Sequence, residues 1–259
     1  MSELQALRQQ LKRLSLHTMA DILEEEVAKA VKAQTGYSAL LERLVAEELA
    51  AKADRSINAR IAKARFPAIR TLEAFDFSFQ PDLPVPLIKE LARLEFLERA
   101  ENVILVGPPG TGKTHLASAL ALKACQARKR VLFSYVPTLL DQLVAATVDR
   151  SLGRRLHDLG KLDLLVADEL GYLPVDPQRA SLFFQLVSHR YERGSIIVTT
   201  NKPFHQWGQI FGGDDVMAAA ILDRLLHHCH IIVTHGPSYR MKDKLRYARL
   251  EESQEAATM

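Results

Sequence analysis

The sequence predicts an α/β protein: a parallel sheet with helices on both faces, preceded by an all-α N-terminal region. Three observations carry this. Apolar residues recur at three- and four-residue spacing through the first third of the chain, the period of an amphipathic helix. From residue 87 onward, short β-branched runs alternate with helical stretches, the pattern of parallel strands joined by crossover helices. One strand-to-helix junction is dense in glycine. The length, 259 residues, allows one large domain and a smaller companion at about 150 residues per domain.

In order along the chain, Leu4, Leu7, Leu11 and Leu14 open the helical period, and Met19, Ile22, Leu23, Val27 and Val31 continue it. Gly36 interrupts as a C-cap. Tyr37, Leu40, Leu41, Leu44, Val45 and Leu49 restart the period, which alanine-rich sequence carries to about Arg65. Phe66-Pro67 stops it, because proline disfavours helix in the residue before it. Residues 1–68 thus read as a helical N-terminal domain. Residues 71–86 combine aromatics with three prolines and read as an ordered connector. Strands are expected at Val103–Val106, Val131–Tyr135, Leu164–Ala167, Ile196–Thr199 and Ile231–Thr234. Helices are expected near 87–99, 113–128, 137–148, 177–192 and 216–228. The α/β domain then occupies residues 69–250, and 251–259 read as a disordered tail.

Composition removes several classes. With 47% hydrophobic and 25% charged residues the chain is neither collagen-like, mucin-like nor wholly disordered. No run approaches the ~20 apolar residues of a membrane span, so no membrane partner is expected. MSELQALRQQLKRL is amphipathic, without the apolar core of an export signal. Two cysteines cannot form a disulfide framework, which fits a reducing cytosol and a cytoplasmic location. The net charge of +3 conceals segregation. Residues 21–50 hold seven acids against three bases, whereas 52–70 hold six bases against one acid. Lys52, Arg55, Arg60, Lys63 and Arg65 are therefore candidate phosphate contacts, the alternative being a solvated helix face. Arg150, Arg154, Arg155 and Lys161 form a second such cluster. Arg128-Lys129-Arg130 reads as a helix end that favours the helix dipole.

Gly107-Pro108-Pro109-Gly110-Thr111-Gly112-Lys113-Thr114 has the spacing GxxxxGK[ST], with the strand NVILV before it and a helix running on through His115. Glycines let backbone N–H groups converge on phosphates, and the helix N-terminus adds partial positive charge. Lys113 then reaches the β- and γ-phosphates of ATP, and the Thr114 hydroxyl can hold Mg²⁺. The run LDLLVADE delivers Asp168 and Glu169 at the carboxyl edge of a strand, where ligands of parallel sheets collect. Asp168 suits Mg²⁺, and Glu169 suits the water that attacks the γ-phosphate. SIIVTTN ends in Asn201, either a γ-phosphate hydrogen-bond partner or a plain turn residue. Arg224, in AAAILDRLLHH, either pairs with Asp223 or serves as an arginine finger in a neighbouring subunit's site. Arg240 is a candidate γ-phosphate contact in cis.

Other features read as structural. His227-His228-Cys229-His230 lacks a second ligand pair at zinc spacing. Cys125 reads as a small buried hydrophobe. Trp207, Phe183, Phe184, Phe204 and Phe211 read as core, because they lack the basic interleaving of a base-stacking platform.

GPPGTGKTHLA, LLVADELGYLP, IIVTTNKPFHQWGQIFGGD, AAAILDRLLHH and GPSYR, in this order, resemble the IstB-like AAA+ ATPases. These are helper proteins of bacterial insertion sequences, close to the DnaC helicase loaders. The resemblance covers nearly the whole chain, and TNKPFHQW with ILDRLLHH is its specific part. It implies a P-loop NTPase sheet of order 5-1-4-3-2 behind an N-terminal domain that meets DNA or a partner. It also implies ATP-dependent self-assembly on duplex DNA and delivery of a transposase to target sites. Carried over by motif, Lys113 and Thr114 are the P-loop contacts and Asp168 and Glu169 the Walker B acids. Asn201 is the sensor and Arg224 the arginine finger. The chain departs from the family in leaving about twenty-five residues after the fifth strand, short of a full helical lid, which leaves a second-sensor role for Arg240 open. The rival functions are a DnaC-like helicase loader and a small-molecule kinase. The DEL acids and the TTN strand end weigh against the kinase.

Overall fold

A computed structural model describes residues 3–241, in two units divided between Ala59 and Arg60. In the first, α1 (Glu3–Arg13), α2 (His17–Lys32) and α3 (Tyr37–Ala64, which runs past the division) pack around Met19, Leu23 and Leu44. The apolar period is continuous across the first two helices, but the backbone is not. Ser15 adopts φ 59° and Leu16 N–H donates to Leu11 O (2.9 Å), which ends α1. The second turn also differs from expectation. Gln34, not Gly36, takes the left-handed conformation after α2 (φ 51°), while Gly36 O receives the Leu40 N–H of α3 (3.2 Å).

This unit buries two carboxylates. Glu26 meets Lys29 (2.9 Å) and Arg43. Glu48 accepts the Met19 N–H (3.0 Å) and pairs with Arg55 (2.9 Å), with Lys52 Nζ at 3.9 Å. Burial pushes the Glu48 carboxyl up, but hydrogen bonds from the Met19 and Thr18 backbone and from the Arg55 guanidinium outweigh it and hold the group below its usual range. Two of the five bases of the candidate stripe, Lys52 and Arg55, are thus engaged by an acid of the same helix.

The second unit carries a five-stranded, fully parallel sheet in the order β2-β3-β4-β1-β5. Its strands are β1 (Asn102–Val106), β2 (Val131–Tyr135), β3 (Leu164–Leu170), β4 (Ser195–Thr200) and β5 (Cys229–Val233). Strand residues alternate between two cores, as a pleat covered on both faces requires. Ile104, Leu165 and Val198 face α7 (Val136–Val148), α8 (Leu152–Gly160), α9 (Pro177–Arg190), α10 (Trp207–Ile210) and α11 (Asp215–Leu226). Val103, Leu105, Val166 and Ile197 face α4 (Val85–Leu91), α5 (Glu95–Glu98) and α6 (Lys113–Gln126). Trp207, Phe183 and Phe211 are fully buried in the first core, and Phe184 and Phe204 pack at its edge. Cys125 is buried in the second, where desolvation pushes its thiol up to about 11.

Two elements depart from the sequence reading, and one buried charge was not foreseen. The helix expected over 87–99 is split at Leu94, which takes φ 68°. Leu152, Leu156 and Leu159 put a helix, α8, where the basic cluster 150–161 suggested only a connection. Arg190 is fully buried at the end of α9, donating to Leu162 O (3.1 Å) and Ser195 O (2.8 Å) and to Leu159 O. Burial lowers its pKa to about 10, yet these carbonyls keep it bound in place, tying α8 to the starts of β3 and β4. No helix among the described residues is long and apolar enough to cross a membrane. The expected tail at 251–259, with all chain after Met241, lies outside the described residues.

Candidate nucleotide site

β1 sits where the strand order reverses, and its carboxyl end opens into the glycine loop, where doubly wound sheets bind ligands. The loop leaves no room for side chains at Gly107, Gly110 or Gly112. A Cβ on Gly112 (φ 93°) would strike the Phe75 ring. A Cβ on Gly107 (φ 153°) would strike the carbonyl and hydroxyl oxygens of Thr234, and one on Gly110 (φ 81°) would strike the Ser238 side chain. The segment after β5 therefore braces the loop. Thr111 Oγ1 lies 2.6 Å from Thr234 Oγ1, and Tyr239 N–H donates to Gly110 O (2.9 Å). At the start of α6, Lys113 is buried, its Nζ donating to Gly107 O and Pro108 O at 2.6 Å each.

Thr114 Oγ1 donates to Asp168 Oδ1 (3.0 Å), joining the loop to β3. Asp168 is fully buried and also accepts the Thr199 hydroxyl (2.5 Å). Desolvation raises the Asp168 carboxyl above the usual carboxylate range, only partly offset by the Thr199 and Thr114 hydroxyls and the Lys113 charge. Strand β3 runs on through both acids, further than the sequence suggested, but its register with β4 shifts between Ala167 and Leu170. Within that bulge Glu169 takes φ 64°, and its N–H donates to Thr199 Oγ1 (2.9 Å). The irregularity separates the directions of two adjacent acids. Asp168 is buried against the Thr114 and Thr199 hydroxyls, whereas Glu169 lines a cavity of about 470 Å³ with Gly110, Thr111, Gly112, Lys113 and Thr114.

Part of that cavity was not evident from motifs. Arg70, Phe75, Asp76 and Gln80 of the connector line it, as do Tyr135, Tyr172 and Tyr239. His115 lines it too, but its Nε2 lies 2.8 Å from Thr71 O and its ring stands edge-on to Phe75, so it seats the connector. Thr199, which holds both Asp168 and the Glu169 amide, was also missed. A threonine at the end of an apolar strand gives no sequence signal of its own.

Asn201 follows β4 outside that lining, and its buried Oδ1 has no partner among the described residues. Arg224 donates to Ala220 O of its own helix (3.0 Å), and its guanidinium stands 4.5 Å from the Phe184 ring centre. The side chain of Arg240 lies outside the described residues. Glu192, His227 and His228 bring potential ligand atoms within 4.8 Å on the surface, a grouping with Glu192 that histidine spacing could not reveal.

Of the remaining bases, Arg60, Lys63, Arg65 and Arg155 come together around one groove of about 370 Å³, joined by Lys129, Arg130 and Lys161. Lys129, Arg130 and Lys161 have acidic partners in Glu98 (3.7 Å), Asp163 (3.0 Å) and Asp158 (3.3 Å). Arg60, Lys63 and Arg65 have none among the described residues, and Arg60 Nε is buried without a partner. Arg150 and Arg154 are exposed and lie outside this groove.

Comparison with known proteins agrees with this architecture. The family described as IstB-like ATP binding protein matches residues 9–247. A Pseudomonas aeruginosa protein named for ATP binding in insertion sequence IS21 is 45% identical over 244 residues, covering 94% of this chain and 91% of that protein. A Geobacillus stearothermophilus relative named for insertion sequence IS5376 is 39% identical, covering 94% and 95%. Among solved structures, DnaI aligns with a TM-score of 0.53 at 23% identity, over 64% of this chain and 91% of that one. AMPPCP-bound DnaA from Aquifex aeolicus aligns with a TM-score of 0.56 at 20% identity, over 71% and 56%. These structures share the fold. On the match over 9–247 and on relatives alike along almost their entire length, the chain belongs to the IstB-like ATP binding protein family.

Proposed function

We propose that this protein is the DNA-bound helper ATPase of an insertion sequence. It hydrolyses ATP with Mg²⁺, assembles on duplex DNA through ATP sites shared between subunits, and there recruits or activates a transposase. One observation carries the catalytic part: Lys113, Thr114 and Glu169 line one cavity, Asp168 is buried behind it on the Thr114 hydroxyl, and Thr199 holds both the Asp168 carboxylate and the Glu169 N–H. The donor set suits a hard divalent cation, because a desolvated carboxylate beside a threonine hydroxyl gains from a positive charge. Thr114 and Asp168 would hold Mg²⁺, which when bound offsets charge on the phosphate oxygens. Lys113 would bind the β- and γ-phosphates. Glu169 would accept the proton of the attacking water, and its bulge holds the carboxylate apart from Asp168 for that task. Asn201 would orient the same water or phosphate.

Glu169→Gln tests the base assignment. Loss of a general base lowers turnover by roughly two to three orders of magnitude, while ATP affinity stays at the parent level. The variant accumulates in the ATP-loaded, DNA-bound state, read by single-turnover hydrolysis and by sizing with duplex DNA. Parent-level hydrolysis would refute the assignment.

The basic groove supports the DNA part of the reading, through phosphates and not base edges. Lys63→Glu with Arg65→Glu is expected to weaken duplex binding about tenfold or more at moderate salt and to flatten the salt dependence. Fluorescence anisotropy across a salt series measures both, and an unchanged slope places the DNA elsewhere. Adding the transposase encoded beside the gene, or a replicative helicase, to the ATP–DNA assembly decides which partner it receives.

A further inference from the structure

Gln80 is a polar side chain that the fold buries without satisfying. It is 4% exposed, and its Nε2 has no hydrogen-bond partner among the described residues. A buried amide donor left unpaired is costly, so such groups ordinarily have an acceptor in the functioning state. The backbone that carries it is held on both sides. Gln80 N–H donates to Phe77 O (3.1 Å), and Leu83 N–H donates to Gln80 O (3.2 Å). The 3-10 turn before it, Phe77–Phe79, is capped by the Asp76 carboxylate, which accepts the Ser78 N–H (3.1 Å).

Gln80 lines the same cavity as Lys113 and Thr114. The glycine loop, with its convergent N–H groups and lysine, takes the phosphates. The connector wall with Phe75 and Gln80 is left to meet the base. A carboxamide presents one donor beside one acceptor. The N6/N7 edge of adenine presents the complementary pair, whereas the O6/N7 edge of guanine presents two acceptors.

We propose that Gln80 reads the base, donating Nε2–H to adenine N7 and accepting an N6–H at Oε1, so that the site selects ATP over GTP. This rests on the P-loop being the nucleotide site. It is tested by titration calorimetry of the full chain with ATP, GTP and 7-deaza-ATP, which lacks the N7 acceptor. The parent chain is expected to bind ATP about tenfold or more tighter than GTP, and 7-deaza-ATP about tenfold weaker than ATP. Gln80→Leu and the isosteric Gln80→Glu, each checked for an intact melting transition, should bring ATP affinity down to that of GTP. Equal affinity of the parent for ATP and 7-deaza-ATP overturns the proposal, whether or not the variants fold. So does an ATP preference that survives in both folded variants. In either case the P-loop reading stands if Lys113→Ala removes binding of all three nucleotides. If Lys113→Ala binds them like the parent, the P-loop reading falls and the proposal with it.

Discussion

Lys113→Ala should lower affinity for ATP about a thousandfold while leaving the protein folded. The ammonium is the only group on the loop that can offset charge beyond what backbone N–H groups supply. Two hydrogen bonds to charged phosphate oxygens at about 2 kcal/mol each amount to roughly 4 kcal/mol, which is about three orders of magnitude in affinity. The fold should tolerate the change because the loop has other braces besides the Lys113 bonds to Gly107 O and Pro108 O. Thr111 is held by Thr234, Gly110 O by the Tyr239 N–H, and the glycines by their close approach to Thr234 and Ser238. The variant is therefore expected to melt near the parent temperature, to bind ATP weakly in calorimetry, and to show no ATP-dependent change in size on duplex DNA. Parent-like affinity would show that the Lys113 bonds to Gly107 O and Pro108 O persist with nucleotide bound, and would remove the lysine from the site.

The parts of the site that were legible in the sequence are those whose signal is local. Eight consecutive residues define the glycine loop, and a strand ending in two acids defines its partner, so Lys113, Thr114, Asp168 and Glu169 could be picked out with no knowledge of distant contacts. What separates the two acids is not local. The bulge at Glu169 arises from the register of β3 against β4 and from the Thr199 hydroxyl, thirty residues further on. The connector shows the same limit. Its aromatics and prolines mark it as ordered, but only the fold reveals that Phe75 and Gln80 form a wall of the cavity. Charge counting misled in a third way. Acids over 21–50 and bases over 52–70 look segregated on a line, yet two turns of α3 bring Arg55 to Glu48, and Lys52 lies against the same carboxylate. Among the described residues Arg60, Lys63 and Arg65 have no acidic partner, and they meet Arg155 of α8, ninety residues further on, around one groove that only the fold assembles.

Arg224→Ala should leave ATP binding intact and reduce hydrolysis by about a thousandfold, the effect of withdrawing an arginine finger. The bland alternative, a surface pair with Asp223, is not what the structure contains. No ion pair joins the two among the described residues, and the guanidinium is held over Phe184 and on Ala220 O. Neither of these partners lines the cavity of the glycine loop. An arginine engaged in this way contributes nothing to its own nucleotide site, so a catalytic role for it requires a second copy of the chain. The assignment to a neighbour's site therefore makes a sharper prediction than loss of activity. Lys113→Ala chains bind ATP too weakly to turn it over but retain the finger, and Arg224→Ala chains bind ATP but lack it. Mixed in equal amounts on DNA, the two inactive proteins should recover part of the parent ATPase, because some interfaces then join an intact site to an intact arginine. Mixtures of Lys113→Ala with a Lys113→Ala, Arg224→Ala double variant should recover nothing. If the first mixture stays as inactive as its components while still assembling on DNA, Arg224 does not act across the interface. Its bond to Ala220 O and its contact with Phe184 would then be its whole role.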